Sequence, residues 1–83
     1  MKVVVQLFAG ARERAGTATA ELEVSEGGTV ADLRAALATR HPALAPLLAR
    51  SRIAVAHEFA DDFVVIPDGA EVALIPPVSG GAT

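Results

Sequence analysis

Hydrophobic and polar positions alternate along two stretches near the start of the chain. In residues 2–8 apolar side chains occupy both sides, with Val3, Val5 and Leu7 on one face and Val4 and Phe8 on the other. This two-sided apolarity predicts a central strand. Residues 17–24 instead alternate strictly, which predicts an amphipathic outer strand that pairs with the first as a hairpin. The inward positions of this second strand are Ala18, Ala20, Leu22 and Val24.

The middle of the chain predicts one main helix. Thr29 followed three residues later by Asp32 forms a capping-box pattern, with Asp in place of the usual Glu or Gln. One apolar stripe at helical spacing follows it, formed by Val30, Leu33, Ala36 and Leu37. Pro42 disfavours helical geometry at the residue before it, so the helix should end by about His41. Pro42 can then open a short second helical turn that includes Leu47 and Leu48.

The last third of the chain predicts two further strands. Residues 53–57 form a short strand, residues 58–62 an exposed connection, and residues 63–66 an apolar segment before the turn at 67–70. Residues 71–75 form the closing strand, which Pro76 and Pro77 stop. One helix packed across a mixed sheet of about four to five strands is an α+β architecture.

Composition narrows the possible partners. The 83 residues suffice for one small domain, and a net charge of −3 provides no electrostatic footprint for nucleic acid. No apolar run approaches the roughly 20 residues needed to span a bilayer, so we expect no membrane partner and a cytoplasmic location. The sequence has no cysteine, which excludes a thiolate nucleophile or persulfide carrier in this chain.

Two groups of residues could be mistaken for chemical sites. An imidazole and three carboxylates fall within six positions, at His57, Glu58, Asp61 and Asp62. Their spacing matches no motif with a known mechanism, so we interpret them as an exposed turn and predict no metal site. Gly27-Gly28 precedes a helix but lacks the Lys of a phosphate loop, so we interpret it as a turn.

The C-terminal segment allows two interpretations on composition alone. Pro76 and Pro77 fix an extended conformation, after which Gly80-Gly81 removes nearly all side-chain bulk. The segment could be a frayed terminus. It also has the form of a tail that enters a narrow cleft and presents a backbone carbonyl to another protein's active site, since glycine has no Cβ.

Four motifs in the same order resemble a known family, the small, sulfur-carrying subunits of molybdopterin synthase, which are ubiquitin-like β-grasp proteins. The likeness covers nearly the whole chain. It rests on Phe8-Ala9 with Arg12-Glu13 and Gly16, on residues 28–34, on residues 53–56, and on residues 68–81.

The resemblance implies a β-grasp domain over residues 1–75 and an extended, flexible tail over residues 76–83. Gly81 would be the reactive residue: an ATP-dependent, E1-like activating enzyme adenylates its carboxylate, which then becomes a thiocarboxylate. In the active site of the large synthase subunit, such thiocarboxylates supply the two dithiolene sulfurs that convert cyclic pyranopterin monophosphate to molybdopterin. The chain would act as a non-catalytic subunit of a heterotetrameric synthase, without a cofactor of its own.

The same resemblance assigns roles to further residues. The edge of the sheet at Phe8 and Ile75, together with Arg12, would contact the large subunit. The tail residues would be Pro76, Pro77, Val78, Ser79 and Gly80.

Two features depart from the family pattern. Ala82 and Thr83 follow the diglycine, so the Gly81 carboxyl group is held in an amide as the sequence stands. Either a peptidase removes the two residues, or they are not native to the protein, or the chain is a relative with a different use. The second departure is Ala56, where an asparagine is common in the family, and we expect it to alter a local turn rather than the chemistry.

Other functions use the same kind of tail. Related carriers deliver sulfur for thiazole or cysteine synthesis, and related modifiers conjugate to lysines. Pro76-Pro77-Val78-Ser79 favours the molybdopterin branch. A non-covalent β-grasp docking module is the alternative from a different class, and it would not need a free Gly81 carboxylate.

Overall fold

The computed structural model describes residues 1–77 of the chain. Its strands are β1 (Lys2–Leu7), β2 (Thr19–Glu23), β3 (Arg52–Val55), β4 (Glu58–Ala60) and β5 (Val72–Ile75). Its helices are α1 (Ala9–Ala15), α2 (Val30–Arg40) and α3 (Ala45–Leu48), with a 3-10 turn (Pro42–Leu44) directly before α3.

The five strands form one mixed sheet in the order β2-β1-β5-β3-β4. β1 pairs antiparallel with β2 and parallel with β5, while β3 pairs antiparallel with both β5 and β4. β1 is an inner strand between β2 and β5, and its antiparallel pairing with β2 is as predicted. Only one face of β1 is buried, because Val4 and Phe8 on the other face are exposed. The prediction that Ala18 points inward is wrong, because β2 begins only at Thr19 and Ala18 lies exposed in the turn before it. The Ala18 carbonyl accepts a 2.8 Å hydrogen bond from the Leu7 amide.

Helix α2 covers one face of the sheet. The Asp32 amide donates to Thr29 Oγ1 at 3.3 Å and the Thr29 amide donates to Asp32 Oδ2 at 2.9 Å, so the predicted capping box is present. Val30, Leu33 and Leu37 are fully buried against the sheet. The helix ends before Pro42, which opens the short helical stretch that buries Leu47 and Leu48, as predicted.

The predicted α+β, β-grasp fold is therefore confirmed. The core lies between the sheet and α2 and is built from many Val and Leu side chains. None of the helices in residues 1–77 is long and apolar enough to cross a membrane.

Two elements differ from the sequence-based expectation. Helix α1 was not predicted, because only Ala11 of its seven residues is buried and no side chain caps its start. It ends at Gly16, whose φ of 74° is the left-handed conformation that glycine adopts most readily at helix ends. The predicted exposed connection over residues 58–62 is wrong for residues 58–60, which form β4, a short edge strand.

The turn between β3 and β4 shortens the predicted strand over residues 53–57. Ala56 and His57 both have positive φ, 50° and 70°, so they form the two-residue loop of a tight hairpin. This backbone pattern is that of a type I′ turn, in which Asn-Gly is preferred. Ala56 thus lies in a local turn, at the first of its two loop positions.

We expect Asn-Gly in place of Ala56-His57 to raise the free energy of unfolding by about 1 kcal/mol, because it removes the cost of holding two ordinary side chains at positive φ. The loss of the His57 side chain costs little, since its contact with Glu71 is exposed. Chemical denaturation measures the change. Ala43→Asn, at an exposed position in the 3-10 turn, is the matched control and should not stabilise the protein. Equal or lower stability of the Asn-Gly variant would contradict this account of the turn.

Candidate functional site

A groove of about 400 Å³ lies on the face of the sheet opposite α2. Its floor follows one row of cross-strand neighbours over four strands, because Gln6 pairs with Ala73, Ala73 with Ala54, and Ala54 with Phe59. The small side chains at the centre of this row leave the groove open. The complete lining consists of Gln6, Phe8, Ala54, His57, Phe59, Glu71, Val72, Ala73 and Ile75.

Two aromatic side chains line the groove and remain accessible. Phe8 is 44% exposed and Phe59 is 54% exposed, although both are large apolar residues. Phe8 follows β1 directly and keeps an extended backbone (φ −124°, ψ 155°), which continues the alternation of β1 and places its side chain on the groove face. Exposed apolar side chains grouped in a concavity mark a site for binding another molecule.

Sequence reasoning did not identify Phe59. Its position follows from the hairpin: once Ala56-His57 is recognised as a two-residue loop, Phe59 falls opposite Ala54 on the outer face. An Asn-Gly pair would have indicated this two-residue turn. Ala56-His57 gives no such signal, so the hairpin and the position of Phe59 could not be predicted from the sequence.

The acidic group around His57 does not assemble into one site. His57 Nε2 lies 2.9 Å from Glu71 Oε1 at one end of the groove. Asp62 Oδ1 lies 2.8 Å from Nε of Arg34, which also donates to the Leu48 carbonyl. Arg34 therefore ties α2 to α3 and to the loop that follows β4. Within residues 1–77, no group of three or more His, Cys, Asp or Glu side chains is placed to hold a metal ion.

The tail begins at the same end of the sheet as Phe8. β5 runs parallel to β1, so Ile75 at its end lies beside Phe8, and both line the groove. Pro76 is buried and Pro77 is exposed. The predicted tail residues Val78, Ser79 and Gly80, the predicted reactive residue Gly81, and Ala82 and Thr83 lie outside the described residues.

Arg12 does not line the groove with Phe8 and Ile75. It is exposed on α1, and its amide donates to the Phe8 carbonyl at 3.4 Å. The predicted partner-binding residues thus comprise two groove residues and one arginine on the adjoining helix.

Comparison with known proteins identifies the family. The ThiS family model matches residues 5–81. The molybdopterin synthase sulfur carrier subunit of Chlamydomonas reinhardtii is 37% identical over 83 residues, covering 98% of this chain and 100% of that protein. The corresponding subunit of Mycobacterium tuberculosis is 38% identical over 82 residues, which cover 98% of this chain and 99% of that protein. Small archaeal modifier protein 1 from Haloferax volcanii, which has a crystal structure, is 32% identical in sequence to this chain. The match covers 98% of this chain and 100% of that one, and the two structures superpose with a TM-score of 0.87. The sequence match and the ubiquitin-like architecture agree, and this chain belongs to the ThiS family.

Proposed function

We propose that this chain is a sulfur carrier subunit of molybdopterin synthase, and that the Gly81 carboxyl group carries the sulfur as a thiocarboxylate. The observation that carries the proposal is the extent of the family match, which runs to residue 81 and so includes the diglycine but not Ala82 and Thr83. Curated relatives that align with almost the whole chain are sulfur carrier subunits of this synthase.

The proposed chemistry takes place at the end of the tail. A free Gly81 carboxylate attacks the α-phosphorus of ATP, pyrophosphate leaves, and the acyl carbon becomes electrophilic in the acyl adenylate. Hydrosulfide then attacks this carbon and AMP leaves, which produces the thiocarboxylate. In the active site of the partner subunit, the thiocarboxylate sulfur forms a bond to a carbon of cyclic pyranopterin monophosphate and displaces an oxygen substituent. Water then cleaves the bond between the acyl carbon and the sulfur, which leaves the sulfur on the pterin and regenerates the Gly81 carboxylate.

The geometry of the described residues is consistent with a carrier whose side chains do no chemistry. His57 is paired with Glu71 on the surface, and Asp62 with Arg34. The rigid part of the chain delivers the tail: β5 is held between β1 and β3, so the direction in which the chain leaves Ile75 is fixed by the sheet. A fixed starting point reduces the conformational freedom lost when the tail enters a cleft.

Three partners follow from this proposal. The large subunit of molybdopterin synthase would seat on the groove, next to the point where the tail leaves the sheet, in a heterotetrameric assembly. An E1-like activating enzyme would adenylate Gly81. A peptidase would first remove Ala82 and Thr83 where these residues are present.

The direct test is a single-turnover reaction between purified large subunit, cyclic pyranopterin monophosphate and this chain prepared with a thiocarboxylate at Gly81. We expect conversion of the precursor to molybdopterin. The same chain with an ordinary Gly81 carboxylate is the control and should give none. Absence of conversion by a correctly folded thiocarboxylate form that binds the large subunit would contradict the assignment to this synthase.

Docking on the groove has its own test. Phe8→Ala should weaken the complex with the large subunit by roughly 1–3 kcal/mol, because aromatic side chains at the centre of an interface dominate its binding energy. Phe63→Ala is the matched control: Phe63 is 78% exposed but does not line the groove, so its loss should leave the affinity unchanged. Isothermal titration calorimetry measures both. An unchanged affinity for Phe8→Ala would show that the groove is not the docking surface.

A protein modifier is the second candidate function. The specific observation in its favour is the superposition on small archaeal modifier protein 1 with a TM-score of 0.87. The acyl adenylate is common to both functions, and they differ in the nucleophile: sulfur for the carrier, a lysine amine for the modifier. Incubation with the activating enzyme and a cell extract distinguishes them, because a modifier forms isopeptide-linked adducts whereas a carrier accumulates as the thiocarboxylate.

A further inference from the structure

An arginine is held on an aromatic ring beside the groove. Arg52 Cζ lies 3.7 Å from the centroid of the Phe59 ring, which is a cation–π contact. Arg52 is the first residue of β3 and pairs with Ile75, the last residue of β5. Its guanidinium group therefore lies beside the groove, at the end where the tail leaves the sheet.

The charge of Arg52 is not neutralised within residues 1–77. No carboxylate of the described residues lies within ion-pair distance of it, including that of Asp61, which follows the end of β4. The opposite end of the groove is different, because His57 and Glu71 pair with each other there. Arg52 is thus an exposed, ring-stacked cation at the tail end of an apolar groove.

Such an arginine is well suited to bind a carboxylate. The guanidinium group presents several N–H donors in a fixed planar arrangement that matches the two oxygens of a carboxylate. Stacking on Phe59 restricts the side chain before a partner arrives, so less conformational entropy is lost on binding. Arginines next to aromatic residues are also frequent among the side chains that dominate interface energies.

We propose that Arg52 is a specificity-determining residue of the docking surface, and that it binds an Asp or Glu side chain of the protein that seats on the groove. This inference rests on the proposed function, in which that protein is the large subunit of molybdopterin synthase. The partner surface would combine an apolar segment that fills the groove with a carboxylate placed opposite Arg52. A carrier from a sister pathway that has an aliphatic residue at this position would leave that carboxylate unpaired and would be rejected.

Binding of the large subunit to three Arg52 variants, measured by calorimetry at low and moderate salt, tests the inference. Arg52→Gln should weaken binding about tenfold and reduce its salt dependence, because a charge-assisted hydrogen bond is lost. Arg52→Met keeps the packing on Phe59 without the charge and should behave like Arg52→Gln. Arg52→Lys keeps the charge without the planar group and should retain the salt dependence with intermediate affinity. Arg40→Gln, an exposed arginine at the end of α2 on the other side of the sheet, is the control and should bind as the unmodified chain does.

The outcomes separate this inference from the proposed function. If Phe8→Ala weakens binding while Arg52→Gln and Arg52→Met match the unmodified chain in affinity and salt dependence, the role of Arg52 is overturned and groove docking stands. If Phe8→Ala has no effect, groove docking itself fails. If Arg52→Gln binds the large subunit normally but slows adenylation, the arginine recognises a nucleotide phosphate instead, which also overturns the inference.

Discussion

A protein that ends at Gly81 is expected to be adenylated by its activating enzyme, whereas the chain that ends at Thr83 is not. In the longer chain the Gly81 carbonyl belongs to an amide with Ala82 and has no free carboxylate oxygen to attack ATP. The free carboxylate of the longer chain belongs to Thr83, two residues beyond Gly81. The β-branched side chain of Thr83 is also too bulky for a cleft of the activating enzyme that is shaped for glycine. ATP–pyrophosphate exchange measures the difference, which should be nearly all-or-none.

Addition of a peptidase that removes Ala82 and Thr83 is the matched control, since it should restore adenylation of the longer chain. Equal exchange with both forms, with mass spectrometry showing that the longer chain remained intact, would rule out Gly81 as the activated residue.

Deletion of Gly81 is expected to abolish sulfur transfer, because the shortened tail cannot bring its acyl carbon to the reacting position. A misplacement of about 1 Å can already reduce a rate about 100-fold, and one residue of extended chain is longer than that. Gly80→Val should give an intermediate rate, since a branched Cβ crowds the backbone in the cleft. Single-turnover conversion of the pterin precursor measures all three forms.

A variant with the acidic group neutralised provides the control for this experiment. It carries His57→Asn, Glu58→Gln, Asp61→Asn and Asp62→Asn. Asn at position 62 keeps an oxygen that can accept from Arg34, so the link between α2 and this loop is retained. His57 lines one end of the groove, so the large subunit is supplied at a concentration that saturates binding. Under this condition we expect transfer from a pre-formed thiocarboxylate to remain nearly unchanged. A collapse of activity in this variant, with fold and partner affinity intact, would show that side chains of this protein take part in the chemistry.

The periodic elements could be predicted from the sequence because burial dictates their pattern. Val3, Val5 and Leu7 of β1 alternate with exposed positions because only one face of the sheet lies against the core. α2 has a single apolar stripe, including Leu33 and Leu37, since only one of its sides contacts the sheet. Thr29 and Asp32 define the start of α2 through hydrogen bonds between near neighbours in the chain, which a local pattern can reveal.

The elements that the sequence did not reveal depend on the tertiary structure. α1 buries little more than Ala11 and therefore has no apolar stripe. β4 is three residues long and begins with Glu58, so it exists because β3 provides hydrogen-bonding partners. The stacking of Arg52 on Phe59 joins residues from two strands, and no local pattern predicts it.

The most direct test of the central claim is the intact mass of this protein isolated from the cell in which it occurs naturally. We predict a polypeptide that ends at Gly81, a fraction of which has one carboxyl oxygen replaced by sulfur. A single species that retains Ala82 and Thr83, with no sulfur-containing form even when the activating enzyme is abundant, would contradict the account.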